Sequence, residues 1–190
     1  DIEYKFPFGF KELEGIHSRT DFDLKQHEKF SNKKLRYFDP EKNESYVPFV
    51  IETSIGLDRM FLAILSHSLK EEELADGNKR TVLSIPAALA PIKAAILPLV
   101  KKDGLGDKAK NILDDLKLEF ECTYDEKDSI GKRYRRNDAL GTPFCITIDH
   151  DTLDDNAVTV RERDSMNQKR IPIDKLQKHI SSQVSMKSLF

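Results

Sequence analysis

The chain has 190 residues, 31 of them Lys or Arg and 33 Asp or Glu, for a formal net charge of −2. That is enough chain for one large or two small cores, and too balanced a charge for a nucleic-acid binder of the histone type. With 38% hydrophobic and 34% charged residues the composition is that of a soluble globular protein rather than a disordered or low-complexity one. No apolar run approaches the about 20 residues of a membrane span, and residues 1–10 lack a basic stretch leading into an apolar signal segment. No membrane partner is expected, and a cytoplasmic location is the default expectation. Cys122 and Cys145, neither in a CxxC pair, supply no disulfide framework and no zinc-ligand spacing, and read as small core residues.

Residues 1–10 alternate polar and apolar side chains without an initiating Met, as would a strand cut from something larger, and 11–16 continue with period two. The polar stretch that follows predicts a short helix over 21–31 and a turn at Asp39-Pro40. Residues 46–51 are β-branched and aromatic and read as a strand running into Glu52-Thr-Ser-Ile-Gly. Leu57, Met60, Phe61, Ile64, Leu65 and Ser68 then recur at helical spacing, which predicts a buried stripe on a helix of about twelve residues. The charged stretch 71–80 reads as a surface connection, and a second composition begins near Pro86.

From there the pattern alternates strand and helix. The apolar run 92–100 suits a strand buried on both faces. Asp107 is expected to cap a helix over 108–118 with Ala109, Ile112, Leu113 and Leu116 inward. A strand over 119–124, a basic helix over 129–140 ending at Gly141, a strand over 144–148, a hairpin of 158–163 with 170–173 and a helix over 174–184 complete the chain. The acidic run 149–155 reads as a turn, lacking the Gly and closing Glu of a calcium loop. The five His residues are scattered without metal-type pairing, so no metal site is expected.

Two stretches carry chemistry. At Glu52-Thr-Ser-Ile-Gly-Leu-Asp-Arg59 a strand meets a helix whose N-terminus offers free N–H groups to an anion. Gly56 permits close backbone approach. Arg59 in the first turn opposes the macrodipole, so either a ligand base or phosphate compensates it or it makes ordinary surface pairs. Glu52 and Ser54 face the same way, where Glu52 could hold an ammonium group or be a solvated strand end. Lys132, Arg133, Arg135 and Arg136, interrupted by Tyr134, form the second stretch. It is able to grip phosphates and stack a base, although a basic helix is also an ordinary solvated face. Arg161 and Arg163 either extend that patch or mark the wet face of a sheet.

The element Glu52 to Arg59 resembles the third signature motif of class II aminoacyl-tRNA synthetases. Together with Pro7-Phe-Gly-Phe-Lys-Glu-Leu-Glu-Gly-Ile, Arg19-Thr-Asp-Phe-Asp-Leu, Tyr46-Val-Pro-Phe-Val-Ile-Glu, Ala90-Pro-Ile-Lys, Ser129-Ile-Gly-Lys-Arg-Tyr-Arg-Arg-Asn-Asp, Gly141-Thr-Pro-Phe-Cys and Val158-Thr-Val-Arg-Glu-Arg-Asp, the chain is similar to the dimeric, class II glycyl-tRNA synthetase family over nearly its whole length. It departs at Thr53, where Pro is frequent, and at Phe10-Lys11, where Trp-Gly is frequent. The resemblance implies an α/β fold, α+β overall: residues 1–85 as a remnant of the antiparallel catalytic sheet, and 86–190 as an anticodon-binding domain with a mixed five-stranded sheet and flanking helices. It implies activation of glycine with ATP and transfer to tRNA(Gly), with Mg2+ in the intact homodimer. Glu12, Leu13, Gly56, Leu57, Asp58 and Arg59 match the ATP-contacting positions. Glu52, Thr53, Ser54, Ile55 and Gly56 match the glycine-contacting segment, and Lys132, Arg133, Arg135 and Arg136 are the expected tRNA-binding cations. Nothing in the chain resembles the dimer-forming motif or the motif that carries a second ATP-binding Arg, so the chain by itself is expected to be inactive. The rival expectation is an accessory protein that binds RNA without catalysis.

Overall fold

The computed structural model describes residues 1–75 and 77–189. By its contacts the chain forms two compact units, Asp1–Ser66 and His67–Phe190. The first holds β1 (Ile2–Phe6), β2 (Gly9–Thr20), α1 (Phe22–Ser31), β3 (Tyr37–Asp39), β4 (Glu44–Tyr46), β5 (Val50–Ile55) and most of α2 (Leu57–Ser68). Strands β1, β2 and β5 make an antiparallel sheet, and β3 and β4 form a separate hairpin around the turn expected at Asp39-Pro40. Helix α1 buries no side chain and closes at Asn32 in the left-handed conformation that Asn tolerates.

The stripe expected on α2 is only partly inside. Ser68 is buried and Met60, Ile64 and Leu65 are half-buried, whereas Leu57 is 82% exposed and Phe61 62%. Periodicity reports which residues share a helix face. It does not report whether anything covers that face.

The second unit begins with a hairpin where a surface connection was expected: β6 (Leu69–Glu73) and β7 (Lys79–Leu83) pair from Leu69↔Leu83 to Glu73↔Lys79. This ribbon therefore belongs by its contacts to the C-terminal unit, although the composition change lies near Pro86. After it come β8 (Ala94–Pro98), α3 (Leu105–Leu116), β9 (Cys122–Tyr124), α4 (Ile130–Leu140), β10 (Phe144–Ile148), α5 (Asp151–Asp155), β11 (Ala157–Glu162), β12 (Gln168–Pro172), α6 (Ile173–Val184) and a short 3-10 turn, Met186–Leu189. The sheet order is β12-β11-β10-β8-β9, with β9, β8 and β10 parallel and β11 and β12 antiparallel. This is the α/β fold with a mixed five-stranded sheet that the sequence predicts. Two local expectations change. Gly104 rather than Asp107 caps α3, and the acidic run after β10 forms the one-turn helix α5.

Alternation along the strands sends side chains to two different layers. Ala94, Ile96, Phe144, Ile146, Val158 and Val160 pack with Ile112 and Leu116 of α3 and Leu176 and Ile180 of α6. Ala95, Leu97 and Cys145 face the other way, against Ile130 and Tyr134 of α4. Helix α4 ends at Gly141, whose φ of +82° suits a residue without a Cβ; an added Cβ would meet Leu83 and Ile85 at 3.1–3.2 Å. At the far end of β10, Arg170 joins Asp149 and Asp155. Burial tends to raise the Asp149 carboxyl, but the hydrogen bonds from Arg170 and Thr152 outweigh it and leave it below its ordinary range.

Candidate nucleotide and RNA sites

In the first unit the sequence-predicted residues fall into two groups along β2. Helix α2 starts directly after β5, and Arg59 in its first turn reaches the neighbouring strand β2, where its Nη1 donates to the Glu12 carbonyl oxygen. This bond ties the first turn of α2 to β2 at Glu12. Further along, β2 and β5 pair Gly15↔Ser54 and His17↔Glu52. Glu52 and Ser54 therefore share a face, and Thr53 and Ile55 point to the other. The His17 ring tip lies where a side chain at Gly15 would go, so a Cβ there would displace that ring. Glu52 is ion-paired with Arg19 at 3.2 Å, and Arg19 also binds Asp23. The Glu52 carboxylate is thus an acceptor already engaged by a cation. From Glu12 to His17 is five residues, or about 16 Å of strand.

In the second unit, α4 separates its cations sharply. Ile130, Arg133, Tyr134, Asn137 and Asp138 recur at helical spacing and form the inward stripe. Arg133 is 2% exposed and donates from Nη1 to the carbonyls of Pro98 (2.7 Å) and Asp125 (3.1 Å), and from Nη2 to that of Leu99 (3.2 Å). It caps the carboxyl ends of β8 and β9, the place where open α/β sheets take ligands, and no RNA phosphate can reach it. Buried and engaged by these carbonyls, Arg133 is placed as a structural residue, which does not suit the tRNA-binding role the resemblance implies for it. Replacing it with methionine keeps the hydrocarbon stem but orphans those carbonyls. We expect a loss of about 2–4 kcal/mol in urea unfolding, with RNA affinity of the folded variant unchanged.

Lys132, Arg135 and Arg136 point outward. Arg136 is held by Asp125 at 2.9 Å and Asp128 at 3.3 Å, and these hydrogen bonds raise its pKa further. Lys132 and Arg135, with Tyr134, Arg161, Met166 and Gln168, line an open cleft of about 490 Å³ between α4 and the β11–β12 turn. The Tyr134 hydroxyl is within 2.7 Å of the Thr147 hydroxyl, and the Arg161 guanidinium lies 4.8 Å from the centre of the Tyr134 ring.

Arg161 and Arg163 do not lie on a wet face. Arg161 pairs with Cys145 across the sheet and so sits on the side that α4 covers. Its two Nη atoms grip Asp138, at 2.7 and 3.0 Å, and Asp138 is fully buried. Arg163 donates to the carbonyls of Gly141 and Ile85 and pairs with Asp164. Burial works against the charge on Arg161, but the bond and attraction to Asp138 outweigh it. Asp138, Met166 and Gln168 were not singled out in the sequence. The available signal for Asp138 was its place on the inward stripe of α4, eight residues after Ile130.

Residues 93–183 match the anticodon binding domain family. The chain is 59% identical over 184 residues to a glycine–tRNA ligase of Clostridium tetani, a match covering 97% of this chain and 39% of that protein. It is 50% identical over 184 residues to one from Chlorobaculum tepidum, with the same shares of 97% and 39%. The chain is homologous to glycine–tRNA ligases. It spans about two fifths of the length of these ligases. Among solved structures, the RNA binding domain of a threonyl-tRNA synthetase from Cryptosporidium parvum superposes with a TM-score of 0.69 at 21% identity, covering 95% of this chain and 42% of that one. That superposition concerns the fold alone. Among the described residues no group of three or more His, Cys, Asp or Glu is placed to hold a metal ion, and no helix is long and apolar enough to cross a membrane.

Proposed function

We propose that this chain is the part of a glycine–tRNA ligase that contributes one side of the glycyl-adenylate site and the surface that receives the tRNA anticodon. The observation that carries this reading is the 59% identity over 97% of the chain, joined to a cationic cleft on the domain that matches the anticodon binding family. In that cleft Lys132 and Arg135 supply charge for phosphates, and Tyr134 supplies an aromatic surface for an unstacked base.

For the first unit we propose that adenine lies against Arg59 and that the amino group of glycine meets Glu52 and Ser54. The about 16 Å between Glu12 and His17 suits an extended aminoacyl nucleotide laid along β2. For Glu52 to take an ammonium group, Arg19 must give way to it, and Asp23, which accepts from both Nε and Nη2 of Arg19, offers that guanidinium an alternative carboxylate. Magnesium would arrive on the phosphates of ATP. Discrimination would rest on excluding any side chain larger than hydrogen. The apolar side chains exposed on this unit, Ile51 and Phe61 among them, are what further strands of a larger catalytic sheet would cover.

The RNA reading is tested by measuring binding of a glycine tRNA to the chain by fluorescence anisotropy across salt concentrations. Lys132→Gln with Arg135→Gln should weaken binding on the order of tenfold or more at low salt. It should also lower the slope of log K against log salt by about 1.4, the value for two phosphate contacts on single-stranded RNA. Unchanged affinity and slope would remove this cleft from the interface.

A further inference from the structure

The cleft is wired to the β6–β7 hairpin through one buried carboxylate. Asp138 Oδ1 accepts from Arg161 at 2.7 Å, while Oδ2 accepts from Arg161 at 3.0 Å and from Arg80 of β7 at 3.1 Å. Arg80, whose side chain is 1% exposed, also donates to the carbonyls of Arg163 at 2.9 Å and Asp164 at 3.1 Å and is tied to Glu72 on the paired strand. A two-stranded ribbon has little stability of its own in water, so the hairpin depends on anchors of this kind. Arg161, gripped on the other side of the same carboxylate, stacks under Tyr134 and forms part of the cleft lining.

We propose that Asp138 is a positioning residue that couples the order of the β6–β7 hairpin to RNA binding in the cleft. The inference rests on the RNA reading above. Arg80 fixes Oδ2 and so the plane of the carboxylate. That plane sets the two-point grip on Arg161, and the grip sets how Arg161 meets the Tyr134 ring. Without Arg80 the carboxylate gains freedom about its χ2 bond, and Arg161 with it. RNA then has to order both at the moment of binding. Because coupling is reciprocal, RNA seated in the cleft should in turn hold the hairpin more firmly.

The test uses the chain with a glycine-tRNA anticodon stem-loop as probe. Arg80→Gln should weaken RNA binding about fivefold. Its salt slope should stay unchanged, because Arg80 is too buried to touch a phosphate, and Arg80→Lys should recover part of the affinity. Hydrogen exchange on the unsubstituted chain should show residues 79–83 slowed by RNA, which tests the coupling even if Arg80→Gln fails to fold. If Arg80→Gln binds as tightly as the parent chain, or RNA leaves exchange in 79–83 unaltered, while Lys132→Gln with Arg135→Gln binds weakly, the coupling is overturned and the RNA reading stands. If the unsubstituted chain binds no RNA, both fall together.

Discussion

Replacing Asp138 with alanine is expected to destabilise the C-terminal unit by about 3–5 kcal/mol, because two buried guanidiniums, Arg80 and Arg161, lose the carboxylate that they share. The magnitude follows from the asymmetry of buried ion pairs. Forming such a pair gains little over an apolar core, but removing one member strands the other in a medium that cannot solvate it. Arg80 would keep Glu72, which is partly in solvent, whereas Arg161 would retain the Tyr134 ring and, among the described residues, no carboxylate. On the usual scale for domains of this size the transition midpoint should fall by roughly 10–15 °C. Thermal unfolding followed by circular dichroism measures this directly. A fall under a few degrees would mean that water reaches both guanidiniums, and the burial described for them would be wrong.

In a glycine–tRNA ligase containing this chain, Arg59→Ala is expected to lower glycine-dependent ATP–pyrophosphate exchange on the order of 100-fold, with a raised KM for ATP. Arg59 sits in the first turn of α2, where a cation is disfavoured by the helix dipole, and it donates to a backbone carbonyl rather than to a carboxylate that would offset its charge. On the proposed reading, a planar guanidinium spread over the adenine base would compensate that placement. Arg59→Lys should therefore restore little, since an ammonium group cannot stack. The chain alone should show no exchange above a blank, which serves as the control. Full exchange activity in the Arg59→Ala ligase would separate this residue from the nucleotide site.

The two units differ in how much of them was legible. In the second unit, the strands at 144–148 and 157–162 and the helices α4 and α6 follow from alternation, helical period and the glycine at 141, since each element carries its own local signal. The β6–β7 hairpin was missed. Three consecutive glutamates and a run of polar residues hide a ribbon whose stability comes from Arg80 and the buried Val82 rather than from local propensity. In the first unit, the stripe on α2 was read correctly as a face and wrongly as a covered one.

The basic helix shows the same division most clearly. Four cations in α4 were visible in the sequence, and so was the resemblance that attaches them to tRNA. Hydropathy could not sort them, because the inward stripe of α4 is built from Arg133, Asn137 and Asp138 as much as from Ile130 and Tyr134. A polar residue becomes an inside residue when partners meet it there. Those partners, the carbonyls at the end of β8 and the guanidinium of Arg161, come from segments tens of residues away. Most element types, their chain order and the family resemblance follow from local pattern and motif, the β6–β7 hairpin and α5 excepted. Which arginines face solvent, and which carboxylate they share, was decided only when the sheet closed under the helix and brought distant charges within hydrogen-bonding distance.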